Sequence, residues 1–451
     1  MRRLSPLQRP AHGREQCKYA ILQILEVYPS CVLKDVWEDL SRRTDDPLAD
    51  WARSGLMPLT GHPDGPPLAP SGRTATLARE LAHRFTELTS VPLDGARLLS
   101  ERAAFTGRRR GGRVSVGGSC RLLPTADGWA AVSCARPDDP ALLGALVCAE
   151  VGDDPWPAVA HWLRRHTGEE LAERAQLLGV AAGPVRQPAP PAALPRPGPG
   201  GRPLRDLLVV DFSALWAGPL CAHLLGLAGA RIVKVETPRR PDGARQGNSD
   251  FYRLLHAGHR SVVLDPDTPA GRRAMARLVE AADIVIEASR PRALAGFGLD
   301  AHEAVASGTI WISITAYGRS VSRVGFGDDV AAASGVLAYD DEGRPLFCGD
   351  AIADPLTGLA AAVLAASAPC DGSGVLWDVA MADVCAASLD PNGVPGTPST
   401  AARRCGATWV VETGLGPVEV ADPLPRPVTG TAPASGEDTA QVLAELGIPV
   451  P

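Results

Sequence analysis

Two stretches of this chain hold residues able to do chemistry. In CGDAIADPLTGLAAAVLAA, residues 348–366, a carboxylate, Asp354, stands directly before Pro355 and a long apolar run. An Asp-Pro step ahead of such a run reads first as a helix N-cap, its carboxylate satisfying free backbone amides. The same place suits a nucleophile. A helix N-terminus helps keep a carboxylate ionised, and its amides could stabilise the oxyanion formed when that carboxylate attacks a thioester carbonyl. Cap and nucleophile are compatible roles, and Asp350 in the same stretch is the local rival.

The second stretch, LLVVDFSALWAGPLCAHLLGLAGARIVKVETP, residues 207–238, reads as strand, turn, helix and strand, closed by Glu236. Trp216, Ala217 and Gly218 sit where strand gives way to helix, the usual ligand crevice of doubly wound sheets. Gly218 would let backbone approach a phosphate, and a helix N-terminus favours anions. No G-x-G-x-x-G is present, which disfavours a nicotinamide dinucleotide and leaves open a nucleotide-containing ligand bound another way. Arg239, Arg240 and Arg245 follow Glu236 and could meet phosphates or lie in a solvated loop. Arg108, Arg109 and Arg110 carry the same pair of readings.

These residues need a scaffold. Apolar runs of strand length recur at 207–212, 230–236, 261–265, 284–288 and 310–315. Helical spacing lies between them at 217–227, and Thr268-Pro269 opens a helix to about 281. The alternation predicts an α/β fold with a mostly parallel sheet and helices on both faces. Upstream, residues 75–88 and 157–165 have amphipathic helical spacing, while 113–116, 120–123 and 128–133 are short and β-like, so a smaller α+β module is expected. QPAPPAALPRPGPGGRP, residues 187–203, is a linker by composition. Residues 390–400 and 422–437 read as loops, with a short last helix at 439–446. A weak repeat relates WARSGLMPLTGHPDGPPL, residues 51–68, to AASGVLAYDDEGRPL, residues 332–346; Asp354 follows the second copy, and no carboxylate follows the first at the comparable place.

Composition narrows the function. The chain has 451 residues, enough for two or three domains, and a net charge of −6 with scattered basic residues, which argues against nucleic acid as the main partner. No apolar run of spanning length and no secretory pattern occurs, so a cytoplasmic protein without membrane contact is expected. The ten cysteines form no CxxC pair and the nine histidines no HExxH, so reduced thiols and no metal site are expected. No GxSxG elbow occurs, and serine-hydrolase chemistry loses support.

The motifs resemble class III CoA-transferases, the family of formyl-CoA:oxalate and carnitine CoA-transferases that also includes α-methylacyl-CoA racemases. The resemblance runs through VVDFSALWAGPLCAHLLGLAGARIVKVETP, HRSVVLD, ALAGFGLD, ISITAYG, GDDVAAASG and DPLTGLAAAVLAA to GVLWDVAMAD, covering nearly all of residues 207–383 in the family's order. It implies a Rossmann-like large domain, an interlocked homodimer, and coenzyme A or acyl-CoA as substrate, with no permanently bound cofactor. It also implies that Asp354 is the nucleophile, forming a mixed anhydride with the donor acyl group and then an aspartyl-CoA thioester, before CoA passes to a carboxylic acid.

The chain departs from that pattern. The family's small domain normally interrupts or follows the large one, whereas here it is expected upstream. The implied division is 1–97, a truncated and degenerate first copy; 98–186, the small α+β domain; 187–204, linker; 205–388, the Rossmann-like large domain; and 389–451, loop and return segment. Trp216 stands where formyl-CoA transferase has Gln, Ala288-Ser289 where it has Asn-Phe, and Thr237 where it has Arg. Arg323 could replace the basic residue usual ahead of the Asp-Val-Ala segment. The CoA contacts expected are thus Trp216, Ala217, Gly218, Arg245 and Arg323. Two other readings stay open: a racemase, although Gly327-Asp328-Asp329 holds no His and would lean on Asp328 as acid, and a degenerate, non-enzymatic CoA-binding protein.

Overall fold

The computed structural model describes residues 46–185, 201–288, 291–390 and 392–451. Most of residues 187–204, read from sequence as a linker, and much of 1–97, read as a truncated first copy, lie outside the described residues, as does Ser289. Six parallel strands form the main sheet, in the spatial order Val375–Ala380, Ile310–Thr315, Ile284–Glu287, Leu208–Asp211, Arg231–Glu236, Arg260–Val263. Numbered along the chain this is 6-5-4-1-2-3, the doubly wound Rossmann order, whose direction of winding reverses between Leu208–Asp211 and Ile284–Glu287.

The strands are β-branched runs because both faces are covered. Alternate residues point to opposite sides. Val209, Ile232, Ile284, Ile286, Ile310 and Ile312 join a core with the helices Ala217–Leu227 and Ala353–Ala366. Leu208, Val210, Val233, Val285 and Trp311 face a second core under the helix Pro269–Ala281. Thr268 caps that helix as expected, its Oγ1 accepting the Gly271 N–H at 3.0 Å. The outer strand Arg260–Val263 is closed by the chain's last helix, Thr439–Glu445. Asp438 accepts the Ser261 N–H and Thr439 the Val263 N–H, so the edge offers less free backbone for pairing.

Every residue of Ala353–Ala366 except Asp354 is buried, as befits a helix apolar on all sides. On one side it meets Ala217–Leu227, on another the upstream helix Thr74–Thr89. Upstream residues also form an antiparallel sheet, in the order Cys120–Pro124, Trp129–Ser133, Ala182–Pro184. Its Ala130 and Val132 pack on the helices Asp139–Val147, Trp156–Leu163 and Gly168–Leu178, while Ala131, Cys120 and Leu122 pack on Ala332, Leu337 and Phe347. Residues 113–116, β-like in sequence, make only an isolated bridge from Val114 to Arg121.

The two repeat-like segments lie against each other. Thr60 Oγ1 accepts the Gly349 N–H, and Leu68 packs with Ala338 and Leu346. Locally they differ: Leu337–Tyr339 and Pro345–Phe347 form a hairpin, whereas the upstream segment holds the 3₁₀ turn Met57–Leu59 and the strand Leu68–Ala69, which pairs with Thr400–Ala401. Residues 403–419, given no element by the sequence reading, form an antiparallel meander of Arg403–Cys405, Thr408–Thr413 and Gly416–Glu419.

Candidate active site

A cavity of about 530 Å³ opens at the carboxyl ends of the strands that flank the winding reversal. Its wall includes Ala214, Leu215 and Ala217 beyond the first strand, Ala288 beyond the fourth and Ile314, Thr315 and Ala316 at the fifth. This is where open α/β sheets bind ligands. Asp354 reaches the same cavity from the start of its helix, and Arg136, Arg240 and Arg323 also line it.

Asp354 is not the helix cap that its Asp-Pro step suggested. The helix starts at Ala353 behind a non-glycine left-handed turn at Ala351, φ +46°, and the Asp354 side chain makes no capping bond. Its carboxylate accepts no hydrogen bond from the described residues and is partly exposed to the cavity. Of the amides at this helix start, two are engaged within the turn and one position has no N–H to offer. Asp354 N–H goes to Ala351 O at 2.9 Å, Leu356 N–H to Ile352 O at 3.4 Å, and Pro355 has none. Gly327 supports the carboxylate from beneath, because a β-carbon there would stand 2.3 Å from Asp354 Oδ2.

Around Asp354 lie three more carboxyls and one arginine. Arg102, from the upstream helix Glu101–Thr106, holds Asp350 through two bonds, Nε to Oδ2 at 2.8 Å and Nη2 to Oδ1 at 2.5 Å. Asp328 Oδ1 accepts the Ala351 N–H at 2.9 Å, and Asp329 accepts from Ser133 Oγ at 2.8 Å and Phe326 N–H at 2.9 Å. Burial pushes Asp354 up to about 7; Arg102 opposes that shift, while Asp328, Asp329 and Asp350 add to it. Asp329 is likewise raised by burial to about 7, against its bonds to Ser133 and Phe326. Asp328 rises to about 6 through burial and the Asp350 charge, with Arg102 opposing. Burial is also the largest influence on Arg102 and lowers it, but Asp350, then Asp328 and Asp354, raise it above its ordinary value. Asp354, Asp329 and Asp328 thus take up protons nearer neutral pH than ordinary aspartates do, chiefly because they are buried.

Of the residues singled out from sequence, Asp354, Ala217, Arg240 and Arg323 meet at the cavity. Arg323 lies over the Tyr317 ring, 4.3 Å from its centroid, and donates to Ala182 O at 3.0 Å. Neither Arg323 nor Arg240 pairs with a carboxylate among the described residues. Trp216 is not in the wall. It is buried behind it, with the Arg102 guanidinium 4.7 Å above its ring and Phe251 edge-on at 5.1 Å. The space in front of Gly218 is filled by Ser213, whose Oγ would stand 2.1 Å from an added β-carbon, so packing rather than a phosphate accounts for that glycine. Arg245 is also away from the cavity wall. It forks onto Glu236 at 2.6 Å, donates to Pro433 O at 3.0 Å and lies over Tyr252. Arg108 and Arg110 donate to backbone carbonyls, and Arg109 pairs with Asp422.

The sequence reading missed Arg102, Ser133 and Arg136. Arg136 lies in ARPDD, where Asp139 accepts from its guanidinium at 2.6 Å and from the backbone N–H groups of Ala135 and Arg136. An Asp three residues on from the arginine was the local signal that it could be held in place. Arg102 offered none, being one basic residue on a short helix.

Residues 204–407 match the family model described as CoA-transferase family III. These residues belong to CoA-transferase family III. The family III region places all six strands of the main sheet and Asp354 within its bounds, while Arg102, Ser133 and Arg136 lie upstream of it. Among curated relatives, the chain is similar to succinate–glutarate CoA-transferase of Agrobacterium fabrum, 32% identical over 211 residues, covering 42% of this chain and 53% of that protein. It is also similar to succinyl-CoA–D-citramalate CoA-transferase of Chloroflexus aurantiacus, 31% identical over 196 residues, 40% of this chain and 49% of that one. A probable fatty acyl-CoA transferase of Mycobacterium tuberculosis is 34% identical over 203 residues, 41% of this chain and 51% of its own length. The chain spans about half the length of these relatives. Among the described residues no helix is long and apolar enough to cross a membrane, and no cluster of His, Cys, Asp or Glu suits a metal ion.

Proposed function

We propose that the chain is an enzyme that transfers coenzyme A from an acyl-CoA to a carboxylic acid, with Asp354 as covalent nucleophile. The observation that carries this reading is the Asp354 carboxylate itself, free of hydrogen bonds from the described residues and facing the cavity at the winding reversal. A carboxyl raised to about 7 is substantially ionised at neutral pH and more basic than an ordinary aspartate, both useful in a nucleophile.

The steps balance without an added reagent. Asp354 Oδ attacks the thioester carbonyl; the C–S bond breaks, leaving an aspartyl-acyl anhydride and CoA thiolate. The thiolate attacks the Asp354 carbonyl carbon and expels the donor acid as carboxylate, leaving an aspartyl-CoA thioester. The acceptor carboxylate then attacks that thioester to give a second anhydride, and returning thiolate takes the acceptor acyl group and frees Asp354. In this reading Ala217 borders the acyl chain and Arg323 holds a phosphate or carboxylate of the ligands. Trp216, Gly218 and Arg245 act behind the wall, shaping it rather than touching CoA. Residues 98–186 serve as the small domain beside the 205–388 large domain, and the working assembly is an interlocked homodimer, which light scattering tests against the chain mass.

The test of the chemistry is mass spectrometry after incubation with a panel of acyl-CoA compounds and quenching in hydroxylamine. A hydroxamate on the peptide containing Asp354, absent from Asp354→Asn, is expected. Exchange of the α-proton in D2O without any adduct would instead support a racemase. Neither product across the panel would leave only the CoA-binding reading.

A further inference from the structure

We propose that Arg102, delivered from upstream of the family III region, is a positioning residue that holds Asp354 as a carboxylate in the geometry for attack. The proposal rests on the CoA-transfer reading of Asp354.

The geometry forms a chain of contacts. The Arg102 guanidinium is fixed on one side by the Trp216 ring and along its edge by the fork onto Asp350. Asp350 precedes the left-handed Ala351, whose N–H is held by Asp328 and whose carbonyl receives the Asp354 N–H. Losing Arg102 therefore leaves Asp350 buried and unpaired beside the turn that launches Asp354. It also removes the cation from the cluster. The charged groups facing Asp354 are Asp350 from the preceding turn, Asp328 and Asp329 from the helix Gly327–Ala333, and Arg102 from Glu101–Thr106. Cys385 approaches from Met381–Ala386, and its thiol is pushed up by burial and then by Asp354. Arg136, Arg240 and Arg323 stand along the cavity wall. Arg136 is engaged by Asp139, and among the basic residues here Arg102 has the direct effect on Asp354.

A plain structural role for Arg102, pairing Asp350 and nothing more, makes a different prediction. Two measurements on the full chain separate them. The first is the ¹³Cγ titration of Asp354 in aspartate-labelled protein, its signal identified by loss in Asp354→Asn. The second is the pH profile of hydroxamate formation at Asp354. For Arg102→Gln the titration and the acid limb are expected to move upward together by roughly 1–3 units, the shift a nearby cation typically sustains. Arg102→Lys, which keeps the charge but loses the fork, should return most of the titration and only part of the trapping rate.

An unchanged Asp354 titration in folded Arg102→Gln overturns the proposal, even if trapping is slower. If Arg102→Gln does not fold, Arg102→Lys decides: a wild-type trapping rate at every pH overturns it. If wild-type protein forms no adduct while the titration still moves, the CoA-transfer reading fails and the positioning role falls with it. An adduct with an unmoved titration leaves that reading standing and removes Arg102 from it.

Discussion

Gly358 lies directly against the carbonyl oxygen of Ala217: a β-carbon at 358 would stand 2.5 Å from that oxygen and 3.1 Å from Leu220 Cβ. The helix bearing Asp354 and the helix bordering the cavity are thus spaced by a single missing methyl. Gly358→Ala gains about 1 kcal/mol of helix propensity but forces the helices apart, at a cost of about 1–3 kcal/mol for overpacking. The expected net result is a lower Tm in a thermal melt. A Tm at or above wild type would show that the crossing relaxes freely.

Asp354 also sets a pH dependence of stability. Its folded value, about 7, lies above that of an unfolded aspartate. Between roughly pH 4 and 7 the folded state therefore holds more protons than the unfolded state, and stability falls as pH rises through that window. The penalty is absent below the unfolded value and complete above the folded one. Asp354→Asn removes it. Its Tm should exceed wild type by a few degrees at pH 8.5, at about 2–4 °C per kcal/mol for a domain of this class, with the difference gone near pH 4. An equal offset at both pH values would contradict the raised titration.

Glu101 is almost wholly buried and forks onto Arg426 at 2.5 and 3.0 Å, tying the helix that carries Arg102 to the C-terminal segment. Breaking a buried pair from one side leaves an uncompensated charge and costs roughly 3–5 kcal/mol. Glu101→Ala should lower the urea midpoint accordingly. Replacing both partners with leucine should recover part of that loss, and a double variant no better than the single one would place the cost in packing alone.

Arg323 tests the ligand side of the cavity. Losing a hydrogen bond to a charged group costs about 1.5–3 kcal/mol, so Arg323→Gln should raise KM for acyl-CoA or for the acceptor acid by roughly 10–100-fold with a smaller effect on kcat. Gly183 and Tyr317, which seat the guanidinium, would then be the next places to alter. An unchanged KM for both ligands would remove Arg323 from binding.

The strands were legible because a sheet covered on both sides needs unbroken apolar runs, and residues 208–211, 284–287 and 310–315 supply them. The helix Ala217–Leu227 has the bounds its spacing predicted. Asp354 stood out in the sequence, but its Asp-Pro step pointed to a cap, because Asp-Pro cannot reveal that Ala351 turns left-handed and starts the helix one residue sooner. Arg245 looked like a phosphate contact because it follows a strand-ending acid, yet that acid, Glu236, is what captures it. Arg102 was invisible for a different reason. Its role is defined by Asp350, 248 positions away, and no local pattern encodes such a partnership.

That separation also bears on how the protein is made. A ribosome completes Arg102 well before it reaches Asp350, 248 positions on, and at about 5–20 residues per second the wait is roughly 12–50 s. Glu101 waits longer still, for Arg426, 325 positions on. Through that interval the nascent helix carries charges whose counter-ions do not yet exist, and the carboxylate cluster cannot form until Asp354 has been made. A chaperone that shields Glu101–Thr106 during translation would act on the step that brings Arg102 to Asp350 and Glu101 to Arg426.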